Sequence, residues 1–382
     1  MRVVIASHGY SEVERVKLLE AIAEQHDVTL LVPDRIWAQV FGDMYAPEST
    51  EKVRVIPNRT LPFGAHYLFR PSWQVYRDLR PDVLHVEYDP WTPEFWSVVL
   101  PMLLLHRRIP IVLYTKKNTR HVPRGPLGLV ERLLTRLGMS RVSLVLAASL
   151  KAASIFRDLG YGDTEIKVQG HIPIDEALFR PVPVRAVHEP RFEVGFVGSI
   201  APHKGVRTLV SAVAQLRDRL DADVRLSFVG PMRDESLAAL LADYDWISYL
   251  GPRPNSDIPA FLSGLDAFVM PSAILPDHEE HDGQALLEAM AMELACVGSR
   301  GGIIPELIED GHNGLLFEAG DVSGLVDALE KLVADGDLRR RFGTHARGTA
   351  LARTGLASLA SQRLAVYDRV LAAQQQLESR VA

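Results

Sequence analysis

Residues 267–305 read AFVMPSAILPDHEEHDGQALLEAMAMELACVGSRGGIIP. The apolar run Ala267–Met270 is typical of a buried strand, and it ends at a proline and a serine. A polar loop follows, a helix is predicted to begin near Gly283, and a second short strand and a pair of glycines come after it. Strand, loop, helix and strand form one unit of a parallel α/β sheet, with Glu280 and Glu288 on either side of the helix start.

The same alternation of short apolar runs and helical patterns extends through all 382 residues and predicts an α/β fold with buried parallel sheets. It lapses at residues 171–190, HIPIDEALFRPVPVRAVHEP, where four prolines and mixed charges indicate a hinge. We therefore predict two Rossmann-like, doubly wound domains that face a cleft. The predicted ranges are 1–175 for the first domain, 176–191 for the linker, 192–355 for the second domain, and 356–382 for a C-terminal helix that crosses back to the first domain.

Helical periodicity also predicts a helix over Tyr67–Leu79 and a long C-terminal helix from Leu338 to about Leu377.

The composition is that of a globular protein, with 47% hydrophobic and 24% charged residues. A net charge of −6 argues against a nucleic-acid partner. The single cysteine excludes an intramolecular disulfide and a cysteine-rich metal site, which fits the cytoplasm. The most apolar window, Ser97–Leu105, is about half as long as a membrane span.

The second half contains a candidate anion site in the loop Gly198–Gly205, which joins a predicted strand to a predicted helix. Such a turn offers free backbone N–H groups and the positive end of a helix dipole, and Lys204 adds a charge. A phosphate fits these groups, although the Walker A order of residues is absent. The alternative is a surface lysine at a helix start.

The predicted helix after the acidic loop buries one face and carries Glu288 in its second turn. A carboxylate among buried neighbours needs hydrogen-bonding partners, and two ribose hydroxyls would serve. The N–H groups of Gly283, Gln284 and Ala285 would face a diphosphate, and Glu280 would face a sugar. The alternative is a solvated acidic loop followed by a helix-stabilising glutamate.

These motifs resemble those of family 4 glycosyltransferases, which have the GT-B fold. The resemblance covers residues 192–335 and rests on the segments VGFVG (194–198), HKGV (203–206), AFVMPS (267–272), Glu280, seven residues, then EAMA (288–291), and GGIIPE (301–306). It implies transfer of a sugar from a UDP- or GDP-linked donor with retention at the anomeric carbon. It places Glu280 on the sugar, Glu288 on the ribose and Lys204 on the diphosphate, with neither metal nor cofactor.

Two positions depart from the family pattern. Ser199 stands where many members have arginine, so that phosphate-binding charge is missing or comes from Arg207 or Arg253. Arg253 is also a candidate contact for the base. Where many members have glycine directly after the first glutamate, this chain has His281 and Asp282, so the loop is bulkier and more acidic near the sugar.

The first half is predicted to bind the acceptor. His8 and Gly9 follow the first strand, and Glu87 follows the strand Val83–Val86. Lys116 falls where many family members place a histidine that faces the reacting sugar. Lys117 and His121 extend a basic rim beside it. The alternative for each of these residues is a solvated loop.

A basic face lies between His106 and Leu159, where eleven lysines and arginines stand against two acids. It fits an anionic membrane surface or a lipid-linked acceptor, a soluble phosphorylated or acidic acceptor, or simply solvated helices.

From the resemblance we predict a retaining, metal-independent glycosyltransferase of glycan, glycolipid or natural-product biosynthesis, in the cytoplasm or at the inner face of the membrane. The alternatives are a sugar-nucleotide epimerase, which needs no acceptor, and a non-catalytic nucleotide-sugar-binding protein.

Overall fold

The computed structural model describes residues 1–9, 13–36, 44–45, 48–64, 66–70, 72–106, 108–118, 120, 124–161, 164–181, 191–276 and 279–381. Within them the chain forms two compact units, the first made of residues 1–173 and 356–382 and the second of residues 174–355. The predicted first boundary at residue 175 thus lies close to the division after Pro173. Of the predicted linker, residues 176–181 belong to the second unit and 182–190 lie outside the described residues.

The strands, in chain order, are β1 (Arg2–Ala6), β2 (Asp27–Pro33), β3 (Arg35–Ile36), β4 (Met44–Tyr45), β5 (Val53–Asn58), β6 (Thr60–Phe63), β7 (His66–Phe69), β8 (Val83–Val86), β9 (Ile111–Thr115), β10 (Val142–Ala147), β11 (Glu165–Val168), β12 (Arg191–Val197), β13 (Asp223–Val229), β14 (Ile247–Tyr249), β15 (Ala267–Met270), β16 (Ala295–Ser299) and β17 (Leu315–Phe317).

The helices are α1 (Val13–Ala23), α2 (Trp73–Leu79), α3 (Pro93–Leu105), α4 (Pro126–Met139), α5 (Leu150–Asp158), α6 (Val206–Leu220), α7 (Glu235–Ala242), α8 (Ile258–Leu262), α9 (Gln284–Ala291), α10 (Ile304–Leu307), α11 (Val322–Ala334), α12 (Gly336–Thr354) and α13 (Leu356–Val381), with short 3-10 turns at Pro202–Lys204 and Asn255–Asp257.

The first unit is organised around a parallel sheet with the strand order β11-β10-β9-β8-β1-β2-β5. The middle strands β1, β8, β9 and β10 are almost wholly apolar and buried, as expected for a sheet that helices cover on both faces. The order of strands reverses between β1 and β8. Ala6 pairs with Val86 there, so the two strands end side by side.

Helix α13 belongs to this first unit although it follows the second unit in sequence. Its buried residues Leu359, Leu364 and Tyr367 share a core cluster with Leu18 of α1 and Val3 of β1. The last helix of the chain therefore helps to close the core of the first domain.

The second unit contains a parallel sheet with the strand order β14-β13-β12-β15-β16-β17. Its order reverses between β12 and β15, where Val194 pairs with Ala267. Ligands of such sheets bind outside the carboxyl ends of the strands at the point of reversal, the switch point. Both sheets therefore have the topology of doubly wound nucleotide-binding domains.

Two predicted helices differ from the structure. The helix predicted over Tyr67–Leu79 is wrong in its first part, since β7 pairs antiparallel with β6 and α2 begins only at Trp73. A helix that continues through residue 70 is disfavoured, because the proline at position 71 of the sequence disfavours helical conformation in the residue before it. The long C-terminal helix is divided at Gly355, which is extended (φ −51°, ψ 138°).

Among the helices of the described residues, none combines the length and the apolar character that crossing a bilayer requires.

Candidate active site

The switch point of the second sheet brings together two residues that the sequence places 76 positions apart. Lys204 follows β12, and Glu280 follows β15. The Lys204 ammonium donates a hydrogen bond to Glu280 Oε2 at 2.7 Å, and the two side chains are 20% and 11% exposed. Lys204, which is predicted to bind the diphosphate, and Glu280, which is predicted to bind the sugar, are thus paired with each other.

Glu280 is held on several sides. The hydroxyl of Ser272 donates to the same Oε2 atom at 2.8 Å, and the amide of Ile303 donates to the Glu280 carbonyl at 3.0 Å. Gly302 approaches closely as well, since a Cβ there would lie 2.2 Å from the Glu280 carbonyl oxygen. The side chain and the backbone of Glu280 are therefore both held in a fixed position.

The loop that carries Lys204 is fixed by a similar close approach. Gly205 has a φ of 69°, and a Cβ on it would lie 1.9 Å from the carbonyl oxygen of Pro271. The amide of Ala273 donates to the carbonyl of His203 at 2.9 Å. Only glycine meets both requirements, so the His-Lys-Gly motif brings the two loops of the switch point into contact.

Glu288 lies in α9 and is 5% exposed. Its Oε1 accepts a hydrogen bond of 2.8 Å from the side-chain amide of Gln284, one turn earlier. Gly283 caps the helix with a φ of 61°, and Gln284 and Ala285 form its first turn. A buried carboxylate, a helix N-terminus and the loop of Glu280 are therefore contiguous in the chain and face the same sheet edge.

The other residues considered for binding the donor are Ser199, Arg253 and Arg207. Ser199 is half-buried two residues after the end of β12, where the sequence lacks the expected arginine. Arg253 is exposed beyond β14, and Arg207 is exposed on α6 and donates to the hydroxyl of Ser236 at 2.7 Å. Nothing in the described contacts brings either arginine to the Lys204–Glu280 pair.

The switch point of the first sheet also holds a carboxylate. The hydroxyl of Ser7, directly after β1, donates to Glu87 Oε2 at 2.5 Å, and Glu87 follows β8. Two histidine nitrogens approach the same carboxylate, His85 Nε2 at 3.6 Å and His171 Nε2 at 3.8 Å. The side chain of Glu87 is only 5% exposed.

His8 and Gly9 lie beside this carboxylate. The amide of Gly9 donates to the Ser7 hydroxyl at 2.8 Å, and the ring of His8 lies 5.5 Å from that of Tyr88. Both predicted acceptor residues therefore belong to the same sheet edge as Glu87.

The predicted basic rim is described in part. Lys116 is half-buried after β9, and the Lys117 ammonium lies 3.5 Å from Asp89 Oδ2. The guanidinium of Arg120 lies 4.6 Å from the centre of the Trp91 ring. His121 lies outside the described residues.

Sequence reasoning missed several residues of this edge. Burial raises the pKa of Asp89, and the Lys117 ammonium opposes that rise. His171 follows β11, and its position after a strand could have marked it as a candidate site residue. The buried side chain of Arg363 lies on α13 and hydrogen-bonds to Gln169, and no local pattern marks it.

Within the described parts of the chain, no group of three or more histidine, cysteine or acidic side chains is arranged to hold a metal ion.

Comparison with known families covers both units. Residues 12–170 match the family described as glycosyl transferase 4-like domain, and residues 183–349 match the family of glycosyl transferases group 1. Fold and switch-point residues therefore define a GT-B protein of two parallel-sheet α/β domains. The chain belongs to the family 4-like glycosyltransferases.

Individual proteins also resemble this chain. The N-acetyl-alpha-D-glucosaminyl L-malate synthase of Bacillus anthracis is 28% identical over 301 residues, which are 76% of this chain and 75% of that protein. A D-inositol 3-phosphate glycosyltransferase of Corynebacterium efficiens is 31% identical over 212 residues, 49% of each chain, so this chain spans about half the length of that relative. Among solved structures, Anabaena HepE in complex with UDP has a TM-score of 0.72 at 18% identity, with 97% of this chain and 100% of that chain covered, and it shows the shared fold.

Proposed function

We propose that the chain transfers a sugar from a nucleoside diphosphate to an acceptor hydroxyl, with retention at the anomeric carbon and without a metal ion. The observation that carries the proposal is the pairing of Lys204 with Glu280 at the switch point of the second sheet. Glu288 would bind the ribose, and Ser199, Gly283, Gln284 and Ala285 would line the diphosphate. The complex of HepE with UDP supports a nucleotide donor.

The proposed chemistry is mainly electrostatic. Lys204 and the N-terminus of α9 would stabilise the negative charge that develops on the leaving diphosphate. Glu280 is already held by Ser272, so it would orient the sugar when the ammonium of Lys204 moves towards a phosphate. The acceptor hydroxyl would attack from the face that the diphosphate leaves, and its proton would pass to the departing phosphate.

A thermal-shift screen of UDP-, GDP- and ADP-linked sugars tests the donor site, because a ligand that binds only the folded state raises its melting temperature. We expect one base to stand out, with Glu288→Gln abolishing most of the shift. Turnover that persists in EDTA supports the absence of a metal. A changed sugar in the absence of any acceptor would instead indicate an epimerase.

We propose that the acceptor binds at the switch point of the first sheet. Glu87, with His8 and Gly9, would hold the acceptor hydroxyl, and Lys116, Lys117 and His121 would hold an anionic group. The names of two relatives, which contain malate and inositol 3-phosphate, support an anionic small molecule as the acceptor. Transfer assays with L-malate, D-inositol 3-phosphate and a lipid-linked phosphate separate soluble from membrane-bound sources of that anion.

Helix α4 favours an additional role at an anionic membrane surface. Its side chains Leu129, Leu133 and Leu137 recur every four residues and are 66%, 57% and 49% exposed, and Arg132 and Arg136 are exposed among them. An exposed apolar row flanked by arginines has the composition of a helix that lies in the membrane interface. We propose that α4 binds the cytoplasmic face of such a membrane.

Co-sedimentation with phosphatidylglycerol vesicles tests this role. The variant with Leu129→Ser and Leu133→Ser should lose most of its binding, while Leu377→Ser, at a leucine of α13 that is 58% exposed, should bind as the parent does. Equal binding by all three proteins would refute the role of α4.

A further inference from the structure

A fully buried arginine lies near the switch point of the first sheet, the edge where we propose that the acceptor binds and which we call the acceptor edge. Arg363 on α13 is 0% exposed, and its Nε donates to Gln169 Oε1 at 2.7 Å. Its Nη1 lies 3.4 Å from His85 Nε2, and the guanidinium lies 5.4 Å from the centre of the Tyr114 ring. Burial of a guanidinium is unfavourable unless an anion and hydrogen bonds compensate for it.

Glu87 is the carboxylate that the same imidazole reaches. His85 is close to both charged groups, since Arg363 Nη1 lies 3.5 Å from its Nδ1 and Glu87 Oε1 lies 3.6 Å from its Nε2. Its Nδ1 lies 2.7 Å from the hydroxyl of Tyr367, which α13 also supplies. Burial and the positive charge of Arg363 hold the pKa of His85 well below its usual range, so the imidazole is neutral and the positive charge at this position is that of the arginine.

The charges of Arg363 and Glu87 both affect the pKa of Tyr367. Burial raises its pKa to about 12, Arg363 opposes that rise, and Glu87 adds to it. A single buried hydroxyl thus lies within the field of the arginine and of the glutamate. The low dielectric of the interior makes such an interaction stronger than it would be at the surface.

We infer that Arg363 is a positioning residue, whose buried positive charge next to His85 keeps Glu87 ionised and oriented at the switch point of the first sheet. The inference rests on the proposed role of Glu87 in binding the acceptor hydroxyl. An ionised carboxylate accepts hydrogen bonds only, so it would hold the acceptor hydroxyl by its hydrogen. The last helix of the chain would therefore determine how the first domain binds its substrate.

A double-mutant cycle on stability tests the coupling without any substrate. Arg363→Met fills the space but leaves Glu87 without its counter-charge, so the melting temperature should fall by about 5–10 °C. Adding Glu87→Gln should then raise it, although Glu87→Gln alone should lower it. The matched control is Arg369→Met with Glu165→Gln, an ion pair of 2.7 Å between the same helix and β11. Its side chains are 60% and 32% exposed, so the effects of the two changes should be close to additive.

A second cycle measures the acceptor KM, with the acceptor taken from the L-malate, D-inositol 3-phosphate and lipid-linked phosphate assays. Arg363→Met should raise that KM about tenfold and leave the donor KM within about twofold. In the Glu87→Gln background the same change should have almost no further effect. Arg363→Lys, which keeps the charge, should recover part of the loss.

The two cycles separate the possible failures. Additive effects of Arg363→Met and Glu87→Gln on stability or on acceptor KM overturn the inference and leave the proposed sugar transfer standing. Absence of sugar transfer by the parent protein overturns the proposed function, while the stability cycle still decides whether the two charges are coupled.

Discussion

The two switch points hold their carboxylates in different ways. Glu280 is paired directly with a lysine whose flexible side chain is 20% exposed, and the pair lies on loops that follow β12 and β15. Glu87 accepts a hydrogen bond from the short side chain of Ser7, and two buried histidines lie 3.6 and 3.8 Å from it. The nearby Arg363 is 0% exposed.

This difference matches the two tasks proposed for the edges. A lysine is a mobile point charge, so Lys204 can exchange a carboxylate for a phosphate without any change of fold. The groups around Glu87 are short or buried, so they fix one orientation for one hydroxyl. The comparison therefore predicts an adaptable donor edge and a rigid acceptor edge.

Replacement of Lys204 should have the largest effect. Lys204→Met removes the charge that stabilises the leaving diphosphate, so kcat should fall about a hundred- to a thousandfold. The melting temperature should change by no more than a few degrees, since the ion pair is partly exposed. Steady-state kinetics measure the first and calorimetry the second, with Lys331→Met on the exposed side of α11 as the control. Parental turnover in Lys204→Met would contradict the adaptable donor edge.

Glu288→Gln should have the next largest effect. Loss of a charged acceptor of ribose hydroxyls should weaken donor binding about ten- to a hundredfold. Isothermal titration with the nucleoside diphosphate of the identified donor measures this. If the affinity does not change, the ribose lies elsewhere.

Glu87→Gln should act on the other substrate. The neutral amide keeps the shape but loses the charge, and the acceptor KM should rise about tenfold while donor affinity stays the same. Initial rates at varied acceptor concentration give the first value, and titration with the donor gives the second. A change confined to donor binding would reverse the assignment of the two edges.

Ser7→Ala should have the smallest effect. It removes one hydrogen bond to Glu87 but leaves the two histidines in place, so the acceptor KM should rise about threefold. A larger effect than that of Glu87→Gln would show that the serine itself contacts the acceptor.

The sequence predicted the second unit better than the first. The motifs around Lys204, Glu280 and Glu288 are local, and each lies in a βα turn whose chain direction limits where it can point. The sheet edge at Ser7 and Glu87 was also predictable from strand ends. Arg363 was not, because helical periodicity does not show that a charged side chain of the helix is fully buried or which groups it contacts.

The errors in secondary structure have the same origin. Tyr67 and Phe69 belong to β7, and their rings pack against Tyr88, an interaction that periodicity within residues 67–79 cannot reveal. The break at Gly355 separates a helix of the second unit from a helix of the first. The helical pattern continues across Gly355, so periodicity predicted one helix where the structure has two.

The position of α13 has a consequence for synthesis on the ribosome. Residues 1–173 are translated before the second unit, but the helix that covers Val3 and Leu18 is translated after it. The second unit, a continuous segment, can complete its core while the first still lacks a helix. The N-terminal domain is therefore the later of the two to mature, and a fragment that stops at residue 173 should expose an apolar surface and aggregate when expressed alone.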